Sequence, residues 1–564
     1  MDIRLTATSF LMPGNGAWRS LGDAHGLDFG AFGDWPHVLS DPSLQAAVAW
    51  VVFLDDVADP EASDGADLDA LLASVLGPLD ARIDRASQQP MIVAWASPAS
   101  SSVIEAARTP SASRRLASRF ETALYERAQH APALHVIPLD QVFAKSGRDR
   151  CFDSRNYYAA HCRLSVAGLG SLAGALGEVL HRLTAPARKV LVLDCDNTLW
   201  GGVVGEDGVG GLTLGQDGTG SAYVDFQRAI RRLAGRGTVL ALASKNEEAD
   251  VWSVFDSHPG MALKRQDIAA WRINWSEKSD NIAALAEELG IGLDSMAFWD
   301  DNPIERDTVR TAMPQVHVFD CPKHVIDWPK ALLECADFAR FEVTAEDRRK
   351  TALYKARAEF VTELTGRTDR VSFLRSIQLR PEALAIEPAS LARATQLCAK
   401  TNQFNLRAAR HSATDLTEIA RTDGAIALLA RLSDRFGDHG IVGLAIARPT
   451  SDPAVAFLDT FLLSCRVLGR HLEAWMLDAC VRPLRERGVR FLAGEFIPRE
   501  RNAMAAGFLG EHGFAALDAL SAGDRDQVAT AIGGLAHGGK LYVADLKTLD
   551  IPHLEIYSDE KVAA

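Results

Sequence analysis

The stretch Val190-Leu191-Val192-Leu193-Asp194-Cys195-Asp196-Asn197-Thr198-Leu199-Trp200-Gly201-Gly202 carries the reading of the fold. Four apolar residues in a row suit a strand buried on both faces, as in a parallel sheet. The run then ends in two carboxylates two residues apart. Open α/β sheets place their sites at the carboxyl ends of such strands. A carboxylate pair there suits a hard cation such as Mg2+, which is held through few carboxylates and shares phosphate oxygens of a substrate. One carboxylate can act as nucleophile and the other as general acid/base. Taken alone, the Asp-x-Asp spacing fits a solvated turn equally well.

Moving outward, residues 238–243 form a second apolar strand, followed by Ser244-Lys245-Asn246. A hydroxyl at a strand end can hold a phosphate oxygen. Lys278 opens a helix expected over 281–290 and supplies positive charge for a phosphate. A third strand, 296–299, ends in Asp300-Asp301-Asn302-Pro303, a second acidic pair, and residues 316–319 read as a strand beyond it. Buried strands alternating with helices over 189–301 predict a parallel α/β sheet. These residues resemble the haloacid-dehalogenase-like phosphotransferase superfamily. The resemblance implies a Rossmannoid core with Asp194 as nucleophile, Asp196 as acid/base, and Ser244, Lys278 and Asp301 as the second, third and fourth motifs. It also implies Mg2+ held by Asp194, the Asp196 main-chain carbonyl and Asp301, although the sequence itself does not separate Asp301 from Asp300. Thr198, Lys245 and Asn246 are grouped with Ser244 on the substrate phosphate.

Longer strings narrow the likeness. Val192-Leu-Asp-Cys-Asp-Asn-Thr-Leu-Trp-Gly-Gly-Val-Val-Gly-Glu-Asp-Gly208 is similar to the FkbH-like family. So are Trp299-Asp-Asp-Asn-Pro-Ile-Glu-Arg306, Thr401-Asn-Gln-Phe-Asn-Leu406, Asp434-Arg-Phe-Gly-Asp438 and Leu462-Leu-Ser-Cys-Arg-Val-Leu-Gly-Arg470. The likeness is close over about residues 185–520 and loose before them. It implies transfer of a glyceryl unit from 1,3-bisphosphoglycerate to the phosphopantetheine thiol of an acyl carrier protein, with dephosphorylation, for polyketide assembly. Within it, Cys195 is expected to be a catalytic thiol. A metal and a lysine nearby could lower its pKa, and it could hold the acyl group as a thioester. In an extended strand, however, its side chain would point away from Asp194 and Asp196. A small residue filling a strand end is the plain alternative.

The C-terminal part reads as strands over 425–432, 441–447 and 455–465, a helix over 472–487, a strand over 491–496 and a helix over 500–512. Arg466-x-x-Gly469-Arg470, between strand and helix, resembles the pyrophosphate loop of GNAT-type acetyltransferases, although Arg470 and His471 depart from the usual small residues. A helix N-terminus there can bind an anion through backbone N–H groups. Cys465, Arg466, Gly469, Arg470 and Asn502 are accordingly assigned to the carrier's pantetheine arm. Cys465 is the rival covalent cysteine, and residues 400–406 are expected in the same cleft. Arg431, Arg435, Arg466, Arg470, Arg482, Arg485, Arg487, Arg490, Arg499 and Arg501 are expected to form a basic face for an acidic carrier.

The N-terminal third resembles a degenerate SGNH-hydrolase-like α/β domain. Ser9 and His161 are the remnants of its site, without the Gly and Asp that an active serine needs, so a scaffold or carrier-docking role is expected. Residues 97–119 read as a loop and an exposed helix. With 564 residues and about 150 per domain, the expected organisation is 1–183 hydrolase-like, 184–344 haloacid-dehalogenase-like, and 345–564 a linker helix plus a GNAT-type acetyltransferase-like α+β domain.

Composition sets the outer bounds. The chain is 47% hydrophobic and 24% charged, which excludes wholesale disorder. No run approaches the roughly 18 apolar residues of a membrane span. A net charge of −14 argues against broad nucleic-acid binding. Eight cysteines without a CxxC pair or zinc spacing, behind an N-terminus without a signal-like apolar run, predict reduced thiols in the cytoplasm. Two other functions remain open on sequence: a plain Mg2+-dependent phosphatase whose C-terminal domain binds a partner, and a loader of lactyl or another acyl unit. A vestigial carrier-docking module is disfavoured by the intact Asp194, Asp196, Lys278 and Asp301.

Overall fold

The computed structural model describes every residue except 58–64, 86–88, 99–109, 186, 366–368, 500–501, 552–555, 558–560 and 563–564. The chain divides into two compact units, Met1–Pro186 and Ala187–Ala564.

The first unit is a parallel sheet of order β2-β1-β3-β4-β5, from β1 (Asp2–Ala7), β2 (Gly26–Phe29), β3 (Ala47–Phe53), β4 (Met91–Ala96) and β5 (Leu134–Pro138). All of β3 is buried. Because successive side chains face opposite sides of a strand, Ala49 and Val51 join a core with Leu169, Leu172 and Leu176 of the helix Val166–Thr184. Val48, Trp50 and Val52 join another with Leu116, Phe120 and Leu124. Those three come from the helix Ala112–His130, so that helix is amphipathic rather than simply exposed. The rest of the expected loop, 99–109, lies outside the described residues.

The second unit opens on another parallel sheet, order β10-β9-β6-β7-β8, built from β6 (Val190–Leu193), β7 (Val239–Ser244), β8 (Ile268–Ile273), β9 (Met296–Trp299) and β10 (His317–Val318). Leu191, Leu193, Leu240 and Leu242 pack on one side with Phe226 and Trp299. Val190, Val192, Val239 and Ala241 pack on the other with Ile282, Leu285 and Leu289 of α1 (Lys278–Leu289). Helix α1 ends at Gly290, whose φ of +63° is open to glycine and costly for most other residues.

Next comes α2 (Ala345–Thr365), which touches β7, β8 and α1 on one side and β14 (Gly437–Pro449) and the turn Cys465–Val467 on the other. Tyr354 belongs to the core of the parallel sheet and Phe360 to the core of the C-terminal sheet. The expected division near residue 344 therefore falls inside this unit, where a helix shared by two cores joins them.

The C-terminal sheet also contains β11 (Arg380–Ala385), β12 (Phe404–Asn405), β13 (Ile426–Asp434), β15 (Val455–Leu463), β16 (Phe491–Phe496), β17 (Ala515–Ala516), β18 (Lys540–Asp545) and β19 (Lys561–Val562). Its order is β17-β18-β16-β15-β14-β13-β11-β19. It carries α3 (Pro388–Lys400) and α4 (Leu472–Glu486). Strands β15 and β16 are parallel and pair only from Val455–Phe491 to Leu458–Gly494, after which they separate. Residues of the chain itself fill the fork. Phe404 and Asn405 pair with Leu463 and Leu462, the Leu406 amide donates to the Phe461 carbonyl (3.2 Å), and the Ile497 amide donates to the Leu406 carbonyl (2.9 Å). Arg407 then spans the fork between Asp459 (2.7 Å) and Glu495 (2.8 Å). The expected helix over 500–512 is instead a short 3-10 turn, Ala503–Ala505, and a four-residue helix, Phe508–Glu511, with 500–501 outside the described residues. Among the described residues no helix is long and apolar enough to cross a membrane.

Candidate active site

The backbone leaves β6 at Leu193 and turns at once. The Cys195 carbonyl accepts from the amides of Thr198 (3.1 Å) and Leu199 (2.7 Å), while Asn197 takes a left-handed φ of +54°. Asparagine tolerates that region better than most residues. The turn brings Asp194 beside the end of β9, with its amide on the Trp299 carbonyl at 3.0 Å. Oxygens of Asp194, Asp300 and Asp301 consequently lie within 4.8 Å of one another.

Lys278, the first residue of α1, reaches this cluster from below. Its ammonium is 2.9 Å from Asp194 Oδ1 and also pairs with Asp300 Oδ2. Burial opposes the charge on Lys278, but Asp194 and Asp300 outweigh it and hold its pKa above the ordinary lysine value. Burial pushes the Asp194 carboxyl up to about 6; Lys278 opposes this and Asp300 adds to it. Asp300 and Asp301 are raised too, first by burial. Three carboxylates around one lysine leave surplus negative charge in a desolvated place, and the donor set is all oxygen. Both properties fit a hard divalent cation. Asp300 is already engaged at both oxygens, by Lys278 and by the Asn302 amide (2.8 Å). Asp301 receives the Thr198 hydroxyl at 3.2 Å, and its amide donates back to that hydroxyl at 3.2 Å. Thr198 therefore orients Asp301, leaving it the less engaged of the two carboxylates.

Asp196 is held by three donors: Trp200 Nε1 (2.8 Å), the Val204 amide (3.1 Å) and Asn246 Nδ2 (2.8 Å). Asp196 Oδ2 carries one of these bonds, from Asn246, and Oδ1 the other two. Ser244, buried at the end of β7, hydrogen-bonds Asp194. These placements bring together Asp194, Asp196, Thr198, Ser244, Asn246, Lys278 and Asp301 from three strand ends and one helix start. Lys245 does not join them as expected, because its ammonium is taken by Glu305 (3.0 Å) and Glu277 (3.4 Å).

Cys195 also departs from expectation. Its side chain is fully buried in the apolar core with Leu199, Trp200 and Phe255 and hydrogen-bonds Ser244. Burial, with Asp194 and Asp196 adding, pushes the thiol well above its ordinary value rather than below it.

Further corrections concern the C-terminal domain. Gly469 has the positive φ, +85°, that its turn demands. Arg470, however, points inward. It is fully buried, bonded to Asp434 (2.8 Å) and stacked on Phe360 at 3.8 Å. Asn502 is buried and ties the Asn405 and Ile497 carbonyls together (2.9 and 3.0 Å). Both side chains are structural here. Arg466 is buried, and Cys465 is half-buried beside residues 400–403 in one cavity. Most of the expected arginine face is engaged within the protein, while Arg487 and Arg499 are exposed. Arg431, Arg435, Arg482 and Arg490 pair with acids, Arg485 binds the Leu546 and Leu549 carbonyls, and Arg501 lies outside the described residues.

In the first unit, Ser9 and His161 do meet, but the Ser9 hydroxyl donates to the His161 carbonyl (2.7 Å) rather than to its ring. Another cluster, His317, Cys335 and Asp337, has ligand-type atoms within 4.8 Å of one another and no recognisable spacing in the sequence. Asp337 sits 3.0 Å from His317 and 3.3 Å from Arg188. Its hydrogen bond, with that of Cys335, raises the imidazole pKa to about 9.

No protein-family model matches this chain, and no curated protein matches it. Solved structures do. The N-terminal part of BF1531 from Bacteroides fragilis, described as containing a phosphatase domain complexed with Mg, is 25% identical and covers 59% of this chain and 93% of its own, at a TM-score of 0.52. A GNAT-family acetyltransferase from Staphylococcus aureus Mu50 is 12% identical over 29% of this chain and 99% of its own, at a TM-score of 0.23. The ribosomal-protein-S18-alanine N-acetyltransferase from Escherichia coli is 14% identical over 29% and 94%, at 0.20. At such scores the two acetyltransferases say nothing about activity. The parallel sheet with its acidic strand ends has the haloacid-dehalogenase-like fold expected from the sequence, in agreement with the likeness to the BF1531 phosphatase-domain structure.

Proposed function

We propose that this chain is a Mg2+-dependent enzyme of phosphoryl chemistry that transfers a glyceryl unit from 1,3-bisphosphoglycerate to the phosphopantetheine thiol of an acyl carrier protein, removing phosphate. The observation that carries the phosphoryl part is the cluster of Asp194, Asp300 and Asp301 around Lys278. The acyl part rests on the FkbH-like strings of the sequence. Asp194, Asp301 and the Asp196 carbonyl would hold Mg2+, which supplies charge stabilisation to a transferring phosphoryl group. Asp194 attacks phosphorus and carries the phosphoryl as an acyl phosphate. Lys278 holds the attacking carboxylate and offsets the charge that develops, while Ser244 and the backbone of the β7 turn receive phosphate oxygens. Asp196 gives a proton to the leaving oxygen and later takes one from water.

The buried, proton-retaining Cys195 favours a second reading, a phosphatase without a covalent acyl step. Intact-mass spectrometry separates the two. The protein is mixed with 1,3-bisphosphoglycerate generated in situ, with and without a holo carrier. A glyceryl adduct that is lost in Cys195→Ala and kept in Cys465→Ala supports the thiol route. If no carrier is acylated by any phosphorylated three-carbon donor while p-nitrophenyl phosphate is hydrolysed, the plain phosphatase stands.

A further inference from the structure

We infer that the cavity between α2, α3 and the turn at 463–466 binds a phosphate-bearing organic anion, at a place separate from the carboxylate cluster. The cavity holds about 440 Å³, within the range of small-molecule sites. Lys189, Lys350, Arg393, Lys400 and Arg466 contribute to its wall, against one lining carboxylate, Asp294. Asp347, behind the wall, pairs with Lys350 at 2.6 Å and approaches Lys400 at 3.9 Å. Among the described residues of the lining, bases therefore outnumber acids, although the whole chain carries −14. A recess lined by several basic side chains favours the entry of an anion. Lys350 registers the basic surroundings: burial, with Arg340 and Lys400 adding, brings its pKa down to about 7 despite the Asp347 carboxylate. Ile291, Leu293, Leu397 and Leu463 complete the wall with apolar surface, which suits an organic ester better than bare phosphate.

The location sets this site apart. Lys189 precedes β6 and Ser295 precedes β9, whereas Asp194 and Asp300 follow those strands. The cavity is thus at the amino ends of the sheet and the carboxylates are at its carboxyl ends, about 16 Å apart at ~3.3 Å per residue. A phosphate ester in the cavity cannot be the one that Asp194 attacks. The inference does not depend on the acyl transfer proposed above.

Cys465, in the same wall, provides the reporter. Full-length protein is labelled with N-ethylmaleimide, and Cys465 is followed by peptide mass mapping. The probes are 3-phosphoglycerate, for a free ester, and S-methyl 4′-phosphopantetheine, for a carrier's arm; calorimetry gives their affinities. At least one probe is expected to slow Cys465 labelling saturably, and equally in Asp194→Asn, which disables the carboxylate cluster. Lys189→Gln and Lys400→Ala should each weaken that probe about tenfold, the loss of one charge-assisted contact. Whichever probe protects identifies the source of the phosphate. Failure of both probes to bind or protect overturns the inference, as does binding undiminished in both lysine variants or lost in Asp194→Asn. Thermal melts of the two lysine variants, whose side chains lie on the cavity wall, confirm that folded protein is compared.

Discussion

Lys278 and its carboxylates are the place where single atoms matter most. Replacing Lys278 by methionine leaves Asp194 and Asp300 facing each other in a buried space, and removal of one partner of such a pair costs about 3–5 kcal/mol. Urea denaturation of metal-free Lys278→Met should show that loss. A cation bound only by the folded state stabilises it, so Mg2+ should raise the melting temperature of this variant more than that of the parent. The pH dependence has a definite sign. Asp194 titrates near 6 in the folded chain against an ordinary value of 3.8. The folded state therefore binds the extra proton, and metal-free stability falls as pH rises from about 4 to about 6. Mg2+ competes with that proton, so its stabilising increment should grow over the same window. Scanning fluorimetry with and without Mg2+ at about pH 5 and about pH 7 tests this; equal increments would count against Asp194 as a ligand. The acidic strand ends and the lysine were legible in sequence because strand alternation alone brings them together. The inward thiol of Cys195 follows from the same strand geometry, which turns its side chain away from Asp194 and Asp196.

Among the elements, the loop from β15 into α4 shows how sequence and structure part. Arg466-x-x-Gly469-Arg470 has the composition of an anion loop, and Gly469 does make the turn. What turns Arg470 inward is remote in the chain: the Asp434 carboxylate and the Phe360 ring. Arg470→Lys keeps the charge but loses the planar group that stacks and bonds at once. It should lower stability by about 1.5–3 kcal/mol, a lost charge-assisted hydrogen bond, measurable by urea titration, whereas a ligand-facing role would leave stability unchanged. Strand β8 escaped the sequence reading for a local reason. Its Ile-Ala-Ala-Trp-Arg-Ile pattern is neither continuously apolar nor alternating, because it lies at the sheet edge and exposes Trp271 and Arg272 in part. Gly290 joins both halves of the second unit. A Cβ there would overlap the Arg357 guanidinium, which donates to the Cys465 carbonyl at 2.6 Å. Gly290→Ala is expected to cost about 1 kcal/mol for its positive φ alone, and more for the overlap.

For the whole molecule, the residues of the candidate site lie between 187 and 564, within one compact unit. A fragment of those residues should fold and keep Mg2+-dependent hydrolysis of p-nitrophenyl phosphate. Ending the fragment at 344 should abolish folding, since Tyr354 of α2 completes the core behind the parallel sheet; circular dichroism and gel filtration distinguish the outcomes. The join at 344 was not legible because 345–350 reads Ala-Glu-Asp-Arg-Arg-Lys, the composition of a solvated linker, while the buried Leu353, Tyr354 and Phe360 follow at helical spacing. The placing of the basic cavity and the carboxylates at opposite ends of one sheet has a kinetic consequence. The strands β6 and β9 that separate the two ends are buried along their whole length, so a diffusible product of one end reaches the other by way of bulk water. There it is diluted and open to interception by a scavenger. An intermediate that survives a scavenger in solution must instead be carried on a tether long enough to round the sheet.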